Sequence, residues 1–266
     1  MNDIIGDRMK MYESLSVNDR FLPLVPIIAR IDGRAFHNFT RGMKKPYDPI
    51  LSMVMKNTAK NLLEETGANI AYTQSDEISL IWLSENINSQ VYFDGRISKM
   101  ISQLAAQTTW EFNNELFKWA PDFYQRKATF DARVFTVPNK CEAANYILWR
   151  EWDCTKNSIS LAAQSFYSHK ELQNKNGKEM QEMIFQKGIN WNDYSADFKR
   201  GVYIQKRKVF RKFSAKELES LPEKHEARNN PNLIVERSDI VQIDMPIFSS
   251  VINKEMVIFN GADPIS

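Results

Sequence analysis

The chain reads as an α+β protein on a ferredoxin-like βαββαβ unit: an antiparallel sheet, helices on one face, and a smaller C-terminal β-containing extension. Three observations predict this. A short apolar, β-branched run ends near Ile31 and is followed by a helix with clear punctuation. A hairpin pattern fills residues 69–83. A second helical stripe then leads into a strand at 130–137, which completes the split βαβ order.

Residues 21–31 are apolar, but Pro23 and Pro26 cannot donate to a ladder and confine the first strand to about 27–31. A loop holding Gly33, Gly42 and Pro46 follows. Asp48 then stands as an N-cap, Pro49 suits the first helical position, and Gly67 supplies the stop. Leu51, Val54, Met55, Thr58 and Leu62 recur at helical spacing, so one face of this helix is core. The hairpin places its turn at 74–77. The second helix is expected over 95–119, with Ile97, Ile101, Leu104, Ala105, Thr108 and Phe112 as its buried stripe. Asn139 followed by Glu142 forms the capping-box pattern and opens a further helix expected to reach Tyr167. Beyond Lys170 the pattern weakens. It reads as a polar loop at 173–178, a short helix at 179–187, a basic alternating strand or hairpin at 201–213, a charged mobile-looking loop at 216–232 and short terminal strands over 233–259.

Composition sets wide bounds. A chain of 266 residues can bury a substantial core, and 43% hydrophobic with 26% charged residues is ordinary for a globular protein. A net charge of +2 announces no nucleic-acid partner, so any basic surface has to be local. Cys141 and Cys154 are too few for a zinc site and suggest a reducing compartment. Residues 1–11 are too polar for a secretory signal and no apolar run reaches spanning length. A soluble, cytoplasmic protein with no membrane partner is expected.

Chemistry concentrates in two acidic turns, Arg-Ile-Asp-Gly-Arg at 30–34 and Gln-Ser-Asp-Glu at 74–77. Either alone is ordinary turn chemistry, because Asp and Gly both serve tight turns. Together they say more. The first strand and the central hairpin of a βαββαβ unit are neighbours, so Asp32 and Asp76 converge on one sheet edge. Two unpaired carboxylates there repel each other unless a cation lies between them. Asp32 and Asp76 are thus candidates to hold two Mg²⁺ ions for phosphoryl or nucleotidyl transfer, with the Gly33 carbonyl as a further hard oxygen.

Basic residues form a second set. Arg96 and Lys99 fall in the first turn of a helix, where the macrodipole disfavours cations unless an anion such as phosphate binds; the plain alternative is two solvated side chains. Arg133 is either an inward phosphate ligand or half of a cross-strand ion pair. Lys45 suits a triphosphate, although most loop lysines are simply solvated. The run Lys206, Arg207, Lys208, Arg211 and Lys212 suits an RNA backbone, and a solvated strand face explains it about as well. Of three histidines only His37 lies near the acidic turns. No Ser-His-Asp arrangement, P-loop, CxxC pair or dinucleotide glycine fingerprint is present.

Six ordered segments carry a resemblance. RIDGRAFHNF, KKPYD, AYTQSDEISL, GRISK, FDARVFTVP and YILWREWDCTKNSI resemble the successive motifs of the tRNA-histidine guanylyltransferase family over about 27–159, and KRG at 199–201 extends the match. The resemblance implies a polymerase- or cyclase-like palm over 1–170, with 171–266 as an extension packed on the same unit. It also implies nucleotide addition to tRNA 5′ ends in the 3′-to-5′ direction, Mg²⁺ as the metal, ATP and GTP or another nucleoside triphosphate as substrates, and a homotetramer. On matching positions, Asp32, the Gly33 carbonyl and Asp76 would bind two metal ions, and Glu77 joins them as a catalytic candidate. Gly33, Arg34, Ala35, Phe36 and His37, with Lys45, Ser75 and Asp76, would line the nucleotide. Arg96, Lys99, Arg133, Asp153, Asn157, Lys199 and Arg200 would face the triphosphate or the tRNA.

The implied reaction starts with activation of the tRNA 5′-monophosphate by ATP to an adenylylated end. The 3′-hydroxyl of the incoming nucleotide then attacks, and pyrophosphate is finally removed. Thr155-Lys156-Asn157-Ser158 stands where many eukaryotic members have His-Ile-Asn-Asn, and Ala35 where asparagine is frequent. These departures favour the guanylyltransferase-like branch, which resembles template-dependent repair polymerases for 5′-truncated tRNAs. A cyclase-like palm enzyme and a non-catalytic RNA-binding palm are the alternatives.

Overall fold

The computed structural model describes residues 4–17, 19–230 and 232–266. Six strands form one antiparallel sheet: β1 (Ile27–Gly33), β2 (Ile70–Gln74), β3 (Glu77–Trp82), β4 (Phe130–Thr136), β5 (Val202–Lys212) and β6 (Ile234–Ile243). Their spatial order is β4-β1-β3-β2-β5-β6. The longer helices are α1 (Ile4–Val17), α2 (Pro49–Thr66), α3 (Ile97–Trp119), α4 (Lys140–Gln164), α5 (Gly177–Phe185) and α6 (Lys254–Asn260). No helix among the described residues is long and apolar enough to cross a membrane.

β1 extends two residues past the expected 27–31 because it is paired on both sides. Asp32 stands opposite Glu77 on β3 and Asp131 on β4, so the ladder carries the strand through the first acidic turn. The start of α2 is fixed locally: the Asp48 carboxylate accepts from the Ile50 and Leu51 N–H groups, and Gly67 closes the helix at φ +64. α4 is opened by Asn139, whose side chain accepts from the Glu142 N–H at 2.9 Å. The reciprocal half of the expected box is missing, since Glu142 instead takes the Asn145 amide. α4 ends at Gln164 rather than Tyr167.

The two helices of the βαββαβ unit lie on one face, as the pattern predicts. Val54, Met55 and Leu62 of α2 and Leu104 and Phe112 of α3 pack there with Ala29, Ile31, Ile78 and Leu80. The stripe of α3 centres on Met100, Leu104, Thr108 and Phe112, while Ile97, Ile101 and Ala105 are half-buried. The other face is covered as well. α4 and α6 bury Ile28, Ile70, Tyr72 and Ile81 beneath Ala143, Ile147, Val257 and Ile258. That is why β2 and β3 are buried at every position and do not alternate.

Departures concentrate in the last third of the chain. The loop expected at 216–232 holds two short helices, Ala215–Ser220 and Glu226–Asn229, the first opened by a Ser214–Glu217 capping box; residue 231 lies outside the described residues. α5 begins at Gly177, two residues earlier than expected, because Asn176 caps it. The terminal strands resolve into one ten-residue strand, β6, followed by α6. β5 joins the sheet beside β2 through Val202–Ile204 and continues with β6 as a two-stranded arm.

Gly201 fixes the entry to that arm. It sits at φ +78, and a Cβ there would lie 2.6 Å from the Tyr72 hydroxyl and 2.8 Å from the Thr73 carbonyl. Gly201→Ala is expected to cost about 2–4 kcal/mol through backbone strain and overpacking. An unchanged urea midpoint in this variant would show that the close approach is not needed.

Candidate active site

The first acidic turn is built on a packed aromatic base. Phe36 opens the short helix Phe36–Phe39, and its ring lies 5.5 Å from Phe112 and 5.3 Å from Phe130. A Cβ on Gly33 would fall 2.2 Å from the Phe36 ring, so only glycine fits above it. Phe36 is therefore core, and only its backbone can meet a ligand. Ala35 adopts φ +53, a left-handed conformation that costs an alanine about 1–2 kcal/mol and that asparagine tolerates better. Arg34 donates its N–H to the Thr129 carbonyl at 2.9 Å, and Arg34 and His37 are exposed.

The second turn meets the first directly. The Gly33 N–H donates to the Asp76 carbonyl at 3.0 Å, which locks the hairpin tip against the end of β1. Ser75 takes φ +50 in the two-residue turn, and its hydroxyl donates to Asp76 at 3.1 Å. Burial first, and then the neighbouring Asp32 charge, lift the Asp76 carboxyl from 3.8 to about 6. The juxtaposition expected from the sequence is present: Asp32 and Asp76 share one sheet edge.

That pair suits a hard divalent cation. Among the described residues no cluster of three or more His, Cys, Asp or Glu side chains forms a metal site. Two carboxylates are what Mg²⁺ commonly takes from a protein when substrate phosphates and water complete its shell.

Glu77 does something else. Arg150 donates to it through Nε at 2.7 Å and Nη2 at 2.8 Å, a bidentate fork. Arg30 Nε lies 2.8 Å from the second oxygen as an ion pair without an aligned hydrogen bond. Burial raises the Glu77 carboxyl, and both guanidinium groups oppose that. Glu77 is thus a positioning residue: it ties β3 to α4 directly beneath the turn that carries Asp76. Arg150 was missed in the sequence, yet a signal existed. Ala143, Ile147, Arg150, Cys154 and Ser158 are all buried on one stripe of α4, and a buried arginine requires a carboxylate.

The remaining candidates divide. Lys45, Ser75 and Asn157 line a cleft of about 220 Å³ beside the hairpin tip, together with Tyr47 and Phe198, whose rings stack at 4.6 Å. Asp153 accepts from Arg150 at 2.8 Å and lies next to Asn157 on α4. Arg133 is exposed on the edge strand β4, 3.7 Å from Asp131. Lys199 is turned to the Asn192 carbonyl and lies over the Trp191 ring, and burial lowers it. The Arg200 carbonyl accepts from Tyr72 at 2.8 Å.

Arg96 and Lys99 do not join the site within one chain. Phe112 of α3 packs on Phe36, the ring beneath Gly33, and Arg96 stands sixteen residues earlier, about 24 Å along the helix axis. The basic run on β5 is largely neutralised. Arg207 pairs with Asp263, Lys208 with Glu236, and Arg211 with both Glu217 and Asp239.

A two-faced antiparallel palm, with Asp32 at the end of β1 beside Asp76 at the hairpin tip and a lysine-bearing cleft next to them, suits a nucleotidyltransferase. The family model for tRNA-His guanylyltransferase (Thg1) matches residues 6–138. A tRNA(His) guanylyltransferase of Debaryomyces hansenii is 31% identical over 203 residues, covering 69% of this chain and 74% of its own. A bacterial tRNA(His) guanylyltransferase (Thg1)-like protein solved in complex with ATP superposes with a TM-score of 0.71 at 40% identity, covering 76% of this chain and 87% of that one. A second such structure, in complex with GTP, has a TM-score of 0.71 at 33% identity and covers 93% and 94%. The chain belongs to the tRNA-His guanylyltransferase family.

Proposed function

We propose that this protein adds nucleotides in the 3′-to-5′ direction to tRNA 5′ ends, using Mg²⁺, with template-dependent repair of truncated ends as its main task. The observation that carries the reading is the convergence of Asp32 and Asp76, held by the Gly33–Asp76 backbone bond at 3.0 Å. When bound there, Mg²⁺ would lower the pKa of the attacking hydroxyl and offset charge on the phosphoryl oxygens. Asp32 and Asp76 would hold it, with the Gly33 carbonyl beside them. Lys45 and Ser75 line the cleft where a triphosphate would lie. The ATP and GTP in the similar bacterial structures support a purine nucleotide as its occupant.

The repair branch is favoured by Thr155. Its hydroxyl donates to the Lys199 carbonyl at 3.2 Å, so it braces α4 against the helix Ala196–Arg200. A side chain so committed is poorly placed to read a tRNA. Guanylyl addition to tRNA-His, the activity that names the family, is the second reading. The homotetramer implied by the resemblance belongs to the same proposal.

The test offers ATP, Mg²⁺ and all four nucleoside triphosphates to two substrates: intact 5′-monophosphorylated tRNA-His and a tRNA lacking its first paired nucleotide. Extension of the truncated tRNA by the complementary base alone marks a repair polymerase. Guanosine addition to intact tRNA-His whatever base stands opposite marks a dedicated guanylyltransferase. Asp32→Ala is expected to lower either activity about a hundred- to a thousandfold, of the order of removing a principal electrostatic stabiliser. Full activity in that variant would sink the metal-site reading.

A further inference from the structure

Beside the carboxylates the surface carries an aromatic and cationic strip that the reaction outlined above does not use. Trp149 and Trp152 stand one turn apart on α4 and are 50% and 53% exposed, large for tryptophan. Trp149 lies with Arg150 at 4.4 Å and Arg30 at 5.9 Å from its ring centroid, and edge-on to Tyr146, which in turn meets Phe135 of β4. The Trp152 indole has no hydrogen bond or ring partner among the described residues.

The strip runs up to the reaction centre. Trp149 sits over the two arginines that clamp Glu77, and Glu77 stands opposite Asp32. Arg133 lies directly across the β1–β4 ladder from Arg30, two positions from the Asp32–Asp131 pair, or about 7 Å along the strand. Like charges directly opposite are unfavourable. Arg30 is committed to Glu77, whereas Arg133 has only the long Asp131 contact and is 59% exposed. An anion at Arg133 relieves that mismatch.

Accepting the tRNA 5′-end reading above, we propose that Trp149 and Trp152 form a stacking platform for the terminal bases of the tRNA 5′ end, with Arg133 on the adjoining phosphate. An unpaired or frayed RNA end presents base faces, and stacking on aromatic rings is tolerant of base identity. A tRNA lacking its first paired nucleotide exposes the outer face of its last base pair and leaves the base opposite the missing nucleotide unpaired. The exposed charge at Arg133, opposite Arg30 and without a close carboxylate, suits a phosphodiester. RNA is therefore the occupant the surface fits.

The experiment measures KM for a 5′-truncated, 5′-monophosphorylated tRNA in the wild type, Trp152→Ala, Trp152→Phe and Trp149→Ala. ATP affinity by calorimetry and mass by sedimentation velocity accompany each protein. Trp152→Ala is expected to raise the tRNA KM about tenfold, and up to about a hundredfold if the ring carries a full stacked base. Trp152→Phe should recover most of the loss, with ATP affinity and mass unchanged. Unaltered tRNA KM in Trp152→Ala overturns the platform, whether or not Trp149→Ala folds. A fall in mass in that variant assigns the strip to a second copy and also overturns it. A wild type that neither binds nor extends tRNA fails the functional reading itself; an active wild type matched by its variants fails only the platform.

Discussion

Asp76→Asn is expected to stabilise the metal-free protein at neutral pH while abolishing nucleotide addition. Folding lifts the Asp76 carboxyl from 3.8 to about 6, chiefly by burial and then by the Asp32 charge. Between these values the folded state holds more protons than the unfolded one, so stability falls as pH rises from about 4 to about 6. A displacement of this size corresponds to about 3 kcal/mol, present in full above pH 6. Asparagine carries no charge and removes the repulsion, keeping the shape of the turn. Thermal melts in chelator from pH 4 to 8 should show the wild type losing more stability across that window than the variant, in which the raised carboxyls of Glu77 and Glu151 still titrate. Added Mg²⁺ should raise the wild-type melting temperature and leave the variant where it was. If Asp76→Asn melts below the wild type at pH 7.5 in chelator, the two carboxylates do not repel across a dehydrated edge.

Arg150→Ala is expected to be the most damaging single change in the second face of the sheet. Arg150 is 3% exposed, donates twice to Glu77 and once to Asp153, and has no solvent route to compensate. Removing one partner of a buried pair costs about 3–5 kcal/mol, because the other charge stays buried. Arg30 remains beside Glu77 and moderates the loss without replacing the fork. The double variant Arg150→Met with Glu77→Gln should be more stable than the sum of the single losses predicts. Urea midpoints for the four proteins give that coupling, and simple additivity would mean that the fork contributes nothing. Nucleotide addition should fall with the single variants, since Glu77 lies next to Asp76 in the chain.

Much of the frame is written in short-range chemistry. Asp48, Pro49 and Gly67 delimit α2, and Asn139 opens α4, because caps act on backbone groups within one turn. The pairing of Asp32 with Asp76 was legible for a related reason: the βαββαβ order sets β1 beside β3 of the hairpin. The six motif segments pointed to the family, and the family model and the similar structures agree.

Long-range partners were decided only by the tertiary structure. Glu77 looked catalytic beside Asp76, and its fate depended on Arg150, 73 residues away. Arg96 and Lys99 resembled phosphate ligands, but the length of α3 carries them to the far end of the sheet from Gly33. The basic run on β5 resembled an RNA surface until Glu217, Glu236, Asp239 and Asp263 were brought against it. The terminal strands became β6 and α6 because β5 offered an unpaired ladder of ten residues and the second face offered a surface to cover. By itself the sequence determined the caps, the periodic faces and the two acidic turns, each set by neighbours a few residues away. Which charges are free to meet a ligand and which are neutralised at home was decided by packing, since an ion pair depends on distance in space and not on separation along the chain.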